Sequence, residues 1–326
     1  MKAIVVDSPG DPEVMHLAEV PDPSPGPGEV LVRAHATAVN RADTLQRRGF
    51  YPPPPGASEI IGMEVAGEVA GLGEGVDGWT VGDRVMALLA GGGYAELVAI
   101  PAGQLMPVPQ GMSWTDAAAI PECFLTAHDN LFTRGRLTAG ETVLIHGGGG
   151  GVGTAAIQLA HRAGARVLVT AGSAGKLERC RELGADAGIN HREEDFVVRA
   201  RELTGGDGVD VILDVMGASY LARNLDALAI EGRLVIIGLQ GGTISDIDLN
   251  AMLRRRLTVI ATTLRGRSLE QKAEIVRRFV EDGLEGFAGG SLRPVVDRVL
   301  PLAEASAAHR AMEAGENVGK LVLAVG

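Results

Sequence analysis

The chain is short of aromatic residues, shorter still of cysteine, and has no long apolar run. Phenylalanine, tryptophan and tryptophan-sized side chains are rare enough, at 3% of 326 residues for Phe, Trp and Tyr together, that the interior has to be built from Val, Leu, Ile and Ala. Two cysteines, Cys123 and Cys180, leave no disulfide framework and no cysteine-rich structural zinc site. No uninterrupted apolar stretch approaches the roughly 20 residues that cross a bilayer. The opening run Lys2-Ala3-Ile4-Val5-Val6 is too short for a signal-peptide core. A cytoplasmic protein without membrane association is the expectation. Positive charge is also in deficit: 30 Lys and Arg against 41 Asp and Glu give a formal net charge of −11. An acidic surface repels phosphate backbones, so a nucleic-acid partner is not expected. Arg254-Arg255-Arg256 reads as a solvated helix end.

What is abundant is glycine, with 46 residues, and it punctuates two different rhythms. From the N-terminus, short runs with strand character (Lys2–Val6, Glu29–Ala38, Val65–Val69, Asp83–Ala90, Tyr94–Ile100) are separated by Gly- and Pro-rich connections such as Pro21 to Gly28. That pattern predicts a β-rich barrel or sandwich. The rhythm changes near Ser113. From Glu141 onward, apolar strands (Thr142–His146, Arg166–Ala171, Val209–Val215, Arg233–Gly238, Leu257–Thr263) alternate with helical stretches (Gly153–Ala163, Lys176–Leu183). Alternation of this kind predicts a parallel sheet covered on both faces. After a helix near Leu269–Asp282, Pro294–Leu300 and Leu321–Val325 return to short strands that rejoin the β-rich part. At this length two domains are the default.

The sharpest local feature is His146 followed by five glycines, Gly147 to Gly151, then Val152 and Gly153. It contains G-x-G-x-x-G at Gly148, Gly150 and Gly153. It follows one strand, opens a helix and precedes another strand, which is the context a dinucleotide site requires. Glycine allows the backbone to approach a pyrophosphate, and the helix start offers free N–H groups and a positive dipole end. A site for NAD places Asp or Glu about 20 residues further on, against the ribose 2′-hydroxyl. Here that strand runs out through Gly172, Ser173, Ala174, Gly175 and Lys176. A hydroxyl and a cation suit a 2′-phosphate, so NADPH is the expected cofactor.

Several stretches then bring a family into view. They are Val39-Asn40-Arg41-Ala42-Asp43, Gly62-Met63-Glu64-Val65-Ala66-Gly67, Gly82-Asp83-Arg84-Val85, Ala118-Ala119-Ile120-Pro121, Gly151 to Ala160, Leu183-Gly184-Ala185 and Asn317-Val318-Gly319-Lys320. Taken in order along the chain, they resemble the medium-chain dehydrogenase/reductase superfamily, and within it the quinone oxidoreductases that work without zinc. Tyr51 followed by four prolines makes the chain most similar to the zeta-crystallin-like and tumour-suppressor-inducible type. The resemblance implies an α/β protein. A GroES-like β-rich catalytic domain would span residues 1–121 and 266–326. A Rossmann-type, doubly wound parallel-sheet domain binding NADP(H) would span 122–265, with the nicotinamide held between the two. It also implies a homodimer through an edge strand near Leu257–Leu264.

The zinc ligands of the superfamily's alcohol dehydrogenases are Cys, His and Cys, and their positions fall at Asn40, Met63 and the Glu122–Cys123 pair. Asn and Met cannot supply what zinc prefers, so no metal is expected. Without a Lewis acid, hydride addition to a quinone or conjugated carbonyl is easier than alcohol oxidation, because the product anion is delocalised. The resemblance places Tyr51 beside the acceptor and Asn40 beside the acceptor or the nicotinamide ribose, with Asp43 and Glu64 orienting the site or making internal hydrogen bonds and Glu64 read as a structural acid. It assigns the cofactor to Thr126, Gly148, Gly150, Gly151, Val152, Gly153, Gly172, Ser173, Lys176, His191, Met216, Gly238, Leu239, Leu264, Arg265 and Asn317. His191 stands where close relatives often carry Tyr beside the 2′-phosphate. His16, His35, His128, His161 and His309 read as surface or internally satisfied groups. An NADPH-dependent enone or alkenal reductase shares all these features, and a nucleotide-binding protein without turnover, serving a structural or regulatory role, is the reading from a different class.

Overall fold

The structure, a computed structural model, describes residues 1–326. Two compact units make up the chain: Met1–Leu125 together with Leu264–Gly326, and Thr126–Thr263.

The second unit is a six-stranded, all-parallel sheet. Its spatial order is Ala187–Asn190, Arg166–Ala171, Thr142–His146, Val209–Asp214, Leu228–Ile236, Thr258–Ala261. The central strands read Thr-Val-Leu-Ile-His and Val-Asp-Val-Ile-Leu-Asp and are buried almost throughout. Such runs form strands because β-branched side chains pack on a pleated surface covered from both sides. Gly151–Arg162 and Ala174–Glu182 are the first two crossover helices. The order reverses between Thr142–His146 and Val209–Asp214, which marks the switch point where open α/β sheets bind ligands. Ala187–Asn190 is a strand that the sequence pattern does not announce: it has four residues and carries Gly188. Leu228–Ile236 begins five residues before the predicted Arg233. The last strand pairs on one side only, so its other edge is open.

The first unit holds a seven-stranded sheet in the order Val296–Pro301, Lys320–Ala324, Glu29–Ala38, Glu64–Leu72, Arg84–Leu88, Leu105–Pro107, with Leu97–Pro101 also on Glu29–Ala38. The C-terminal strand joins Glu29–Ala38 antiparallel, so both chain ends build one sheet. Lys2–Val6 and Met15–Glu19 form a separate hairpin. The core is aliphatic: Val30, Val32, Val65, Val85, Ile100, Leu321 and Leu323 are all fully buried. Glu29–Ala38 and Glu64–Leu72 shift register twice. Between the shifts, a Cβ on Gly67 would lie 2.0 Å from the Arg33 carbonyl oxygen, so only glycine fits that close backbone approach. Residues 41–47, read from sequence only as part of a motif, form a helix begun at Asn40. The Asn40 N–H donates to Asp43 Oδ2 at 2.7 Å, which secures one of the donors a helix start leaves unpaired.

Candidate active site

At the end of Thr142–His146 the chain turns at Gly147, whose φ is +70°. Gly148 then passes under the neighbouring strand, where a Cβ would lie 3.0 Å from both Val169 Cβ and Cys180 Sγ. At Gly153 a Cβ would lie 2.3 Å from the Gly147 carbonyl oxygen and 2.7 Å from Gly148 Cα. The helix can therefore start this close to the strand only with glycine at that position. The Thr154 N–H makes an early helical bond to Gly150. The N–H groups of Gly151, Val152 and Gly153 precede it, and Gly150 supplies no side-chain cap. Three backbone donors and the positive end of a 12-residue helix thus face one loop, which is a cradle for a phosphate. The glycine loop fits a dinucleotide pyrophosphate.

The next strand leads to the side chains around Gly172 and Ser173. Ser173 caps the helix Ala174–Glu182 by accepting from the Lys176 N–H. The alkyl chain of Lys176 lies over Gly149, with Cδ 3.1 Å from where a Cβ would stand. This brings Lys176 from its own helix onto the phosphate loop. Around Gly172, the atoms nearest to a Cβ position are Arg192 Nε at 3.1 Å and His191 Nε2 at 3.2 Å. No carboxylate is among them. Partial burial and the neighbouring Arg192 push the His191 imidazole below its usual pKa. Arg192 is a residue that sequence reasoning passed over. It follows a four-residue strand that had not been recognised, and only that strand's pairing with Arg166–Ala171 swings the Arg192 side chain back to Gly172.

Met216, Gly238 and Leu239 come together at the carboxyl ends of adjacent strands. Asp214 is fully buried and accepts from the N–H groups of Met216 at 2.8 Å and Gly217 at 2.9 Å. Gly217 has φ +73°, and a Cβ there would meet the Leu239 side chain at 2.7 Å. Gly238 would meet the Val215 carbonyl at 2.8 Å. These glycines fold the two strand ends against each other at the switch-point side. Below them His146 is buried, held by Thr170 Oγ1 at 3.0 Å and Asn224 Oδ1 at 2.8 Å. Desolvation lowers its pKa to about 4. Thr126 is buried at the start of this unit, and its carbonyl accepts from Asn130 Nδ2 at 2.8 Å.

The first unit contributes a different kind of site. The Lys320 ammonium, 3% exposed, is held by Asn40 Oδ1 at 2.6 Å, Glu64 Oε1 at 2.6 Å and the Val39 carbonyl at 3.0 Å. Asn40 Nδ2 donates to Glu64 Oε1 at 2.8 Å, and the Glu122 N–H donates to Glu64 Oε2 at 2.9 Å. Every oxygen of this cluster that could take a cation already faces the ammonium or a fixed N–H. The neighbouring Cys123 thiol is buried and its pKa is pushed far above the ordinary value by desolvation, so it behaves as a small apolar group. No cluster of three or more His, Cys, Asp or Glu side chains suited to a metal ion is present. Asn40 therefore spends its amide inward, on Lys320 and Glu64, to a degree that its sequence position does not reveal.

Tyr51 is partly buried, and burial raises the pKa of its phenol. The Arg265 guanidinium lies 5.3 Å from its ring centroid. Arg265 donates to the Ala90 carbonyl at 2.7 Å, the Tyr51 carbonyl at 3.1 Å and Gln46 Oε1 at 2.6 Å. Those bonds give Arg265, assigned to the cofactor by resemblance, a bracing task on the Tyr51 loop. Leu264, beside it, falls in the same unit. Asn317 donates through Nδ2 to the Gly319 carbonyl at 2.7 Å, shaping the turn into the strand that carries Lys320.

Comparison with known proteins shows the family. Residues 26–110 match the alcohol dehydrogenase GroES-like domain family, and residues 151–281 match the zinc-binding dehydrogenase family. A quinone oxidoreductase of Rattus norvegicus is 32% identical over 99% of this chain and 97% of its own length. The crystal structure of Escherichia coli quinone oxidoreductase complexed with NADPH superposes with a TM-score of 0.91 at 31% identity, covering 99% of this chain and 100% of that one. The JamJ enoyl reductase in its apo form superposes with a TM-score of 0.89 at 29% identity, covering 100% and 99%. An α/β fold with a GroES-like part and a Rossmann-type part, and similarity along essentially the whole length of a quinone oxidoreductase, lead to one conclusion: the chain belongs to the medium-chain dehydrogenase/reductase superfamily, in its quinone oxidoreductase branch, and is an oxidoreductase.

Proposed function

We propose that the protein is an NADPH-dependent reductase that passes a hydride to a quinone without zinc. One observation carries the choice of NADPH: the side chains closest to Gly172 are His191 and Arg192, Lys176 lies nearby over Gly149, and no acid is among them. A ribose 2′-phosphate would be met there by two cations and an imidazole, whereas a 2′-hydroxyl would find no carboxylate. The N–H groups of Gly151, Val152 and Gly153 would hold the pyrophosphate, and Met216, Gly238 and Leu239 would line the path toward the nicotinamide. The bound nucleotide supplies the hydride. Everything else is positioning and charge.

Tyr51 would face the acceptor, and Asn40 would lie beside it with its amide turned inward to Lys320 and Glu64. The partly buried phenol of Tyr51 makes no hydrogen bond inside the chain, leaving its O–H for an acceptor oxygen as negative charge develops. Three features support a metal-free reaction: Lys320 engages the Asn40 and Glu64 oxygens, the Cys123 thiol strongly resists ionisation, and Met63 is no zinc ligand. A quinone suits such a site because its reduced anion is delocalised. A conjugated carbonyl is the second reading, favoured by the similarity to an enoyl reductase.

Cytoplasmic residence and assembly as a homodimer are part of the proposal. No helix is long and apolar enough to cross a membrane, and the open edge of Thr258–Ala261 supports pairing with a second copy. Steady-state assays with a naphthoquinone and with an α,β-unsaturated ketone test the substrate. Faster NADPH oxidation with the naphthoquinone is the expected result. Turnover with the enone alone would reassign the protein to the second reading.

A further inference from the structure

Asn40 is gripped at three atoms, and one of the grips leads away into a buried chain of side chains that the proposed chemistry does not use. On one side, Lys320 donates to Oδ1 and Glu64 accepts from Nδ2. That pairing fixes which way the amide faces, because an ammonium only donates and a carboxylate only accepts. On the other side, the Asn40 N–H donates to Asp43 Oδ2. The Tyr94 hydroxyl donates to the same oxygen at 3.3 Å and lies 3.0 Å from His309 Nε2. His309 Nδ1 is 3.2 Å from Arg47 Nη1, and Arg47 Nη2 reaches Glu313 Oε1 at 2.6 Å. Asp43, Arg47, Tyr94 and His309 are each 0% exposed.

The polarity of this chain is determined throughout. Arg47 can only donate, so His309 Nδ1 accepts and the proton of the neutral ring sits on Nε2. Nε2–H then donates to the Tyr94 oxygen, which leaves the Tyr94 O–H for Asp43. Burial and the Arg47 charge push the His309 pKa to about 3, in keeping with a neutral ring of one tautomer. Arg47 also donates through Nε to the Gly10 carbonyl at 3.0 Å, and Glu313 is shared with Arg48 at 3.2 Å. The far end of the chain is thereby tied to the Gly10 backbone and to Glu313, on the helix that carries His309. A buried polar network in which almost every member is paired holds its geometry rigidly.

We propose that Tyr94 and His309 are positioning residues for Asn40, acting through Asp43 on its backbone while Lys320 fixes its side-chain amide. Apolar side chains can fill a buried space of this kind. What apolar residues would not do is hold the Asn40 backbone and amide to one orientation. The inference rests on the proposed reading that Asn40 lies beside the acceptor.

The test compares the parent with Tyr94→Phe, His309→Gln and Lys320→Met, reading three quantities for each: melting temperature, NADPH dissociation constant by fluorescence titration, and kcat with a naphthoquinone. Tyr94→Phe removes one hydroxyl and keeps the ring, so it folds. Breaking the chain there is expected to lower kcat about tenfold, with the NADPH dissociation constant within about twofold of the parent. His309→Gln keeps an acceptor toward Arg47 and a donor toward Tyr94 and is expected to retain most of kcat. Lys320→Met is expected to lower kcat at least as much as Tyr94→Phe. A Tyr94→Phe protein with the parent's kcat overturns the proposal. So does a loss in which kcat, NADPH affinity and melting temperature fall together and His309→Gln behaves no better than Tyr94→Phe, since that is a purely structural effect. A parent that binds NADPH yet turns over no acceptor refutes the functional reading instead, and the two failures are thereby told apart.

Discussion

Gly153 and Gly175 lie on successive helices of the nucleotide-binding unit and should respond to alanine in opposite ways. At Gly153 the new methyl would stand 2.3 Å from a backbone oxygen. Gly153→Ala is therefore expected to lose about 3 kcal/mol or more of stability and to abolish NADPH binding. Around Gly175 nothing lies within 4 Å, so Gly175→Ala should be stabilising by about 0.5–1 kcal/mol. Denaturant titration of both variants checks the contrast; equal effects would contradict the cradle geometry. Arg192→Ala and Lys176→Ala should each weaken NADPH binding about tenfold or more, since each removes a charge-assisted contact, while NADH binding changes little. His191, whose pKa is depressed, is largely neutral at neutral pH. It adds a charge to the 2′-phosphate only as the pH falls, so NADPH affinity should rise on the acidic side while NADH affinity stays flat. Calorimetric titrations of the two nucleotides across that range decide it. Of these residues Lys176 was legible from its spacing after the glycine motif, and His191 from the family resemblance. Arg192 was not, because what places it is the pairing of a short strand.

The elements that the sequence announces are those with a long period. Glu29–Ala38 and Leu269–Asp282 appear with the bounds their patterns predict, and the strand–glycine loop–helix unit at Thr142–Arg162 follows from hydrophobic runs around an unmistakable turn. Arg41–Arg47 and Ala187–Asn190 escaped, being seven and four residues long. A helix that short is decided by its cap and by the buried Arg47, which no periodicity encodes. Leu257–Leu264 is implied by the resemblance as an edge, and the strand within it, Thr258–Ala261, pairs on one side only. Exposed Leu249 and Leu253 lie on the helix just before it. If the proposed homodimer forms at this edge, Ile260→Lys should convert it to a monomer, because a charge on an open strand blocks pairing. Sedimentation velocity reads the mass directly; a parent that is monomeric at all concentrations rules the dimer out, and an unchanged dimer in the variant moves it elsewhere.

For the molecule as a whole, the buried ionisable groups set opposing pH limits. His146 and His309 have depressed pKa values, to about 4 and about 3. Their contribution to stability is complete above the ordinary histidine pKa of about 6.5 and is lost as the pH falls through the folded-state values. For His146 alone the difference corresponds to about 3 kcal/mol. Asp43 has the reverse sign. Burial raises its pKa to about 7, against the pull of the Asn40 N–H, Lys320 and Arg265 and with a push from Glu64. Its contribution is complete at low pH and is lost as the pH rises through 7. Denaturation midpoints should therefore fall steeply on acidification below pH 6.5, and His146→Asn should flatten that fall. A midpoint independent of pH between 4 and 7 would contradict the neutral, buried histidines.

The central claim is that one glycine-lined loop holds a 2′-phosphorylated nucleotide whose hydride goes to a conjugated acceptor. The most direct measurement is the rate of NADPH oxidation in stopped flow after the protein is mixed with a naphthoquinone, set against NADH under the same conditions. The account predicts rapid loss of NADPH absorbance, in proportion to enzyme, and a much slower reaction with NADH at equal concentration. Failure to bind NADPH, or equal rates with the two nucleotides, would contradict it.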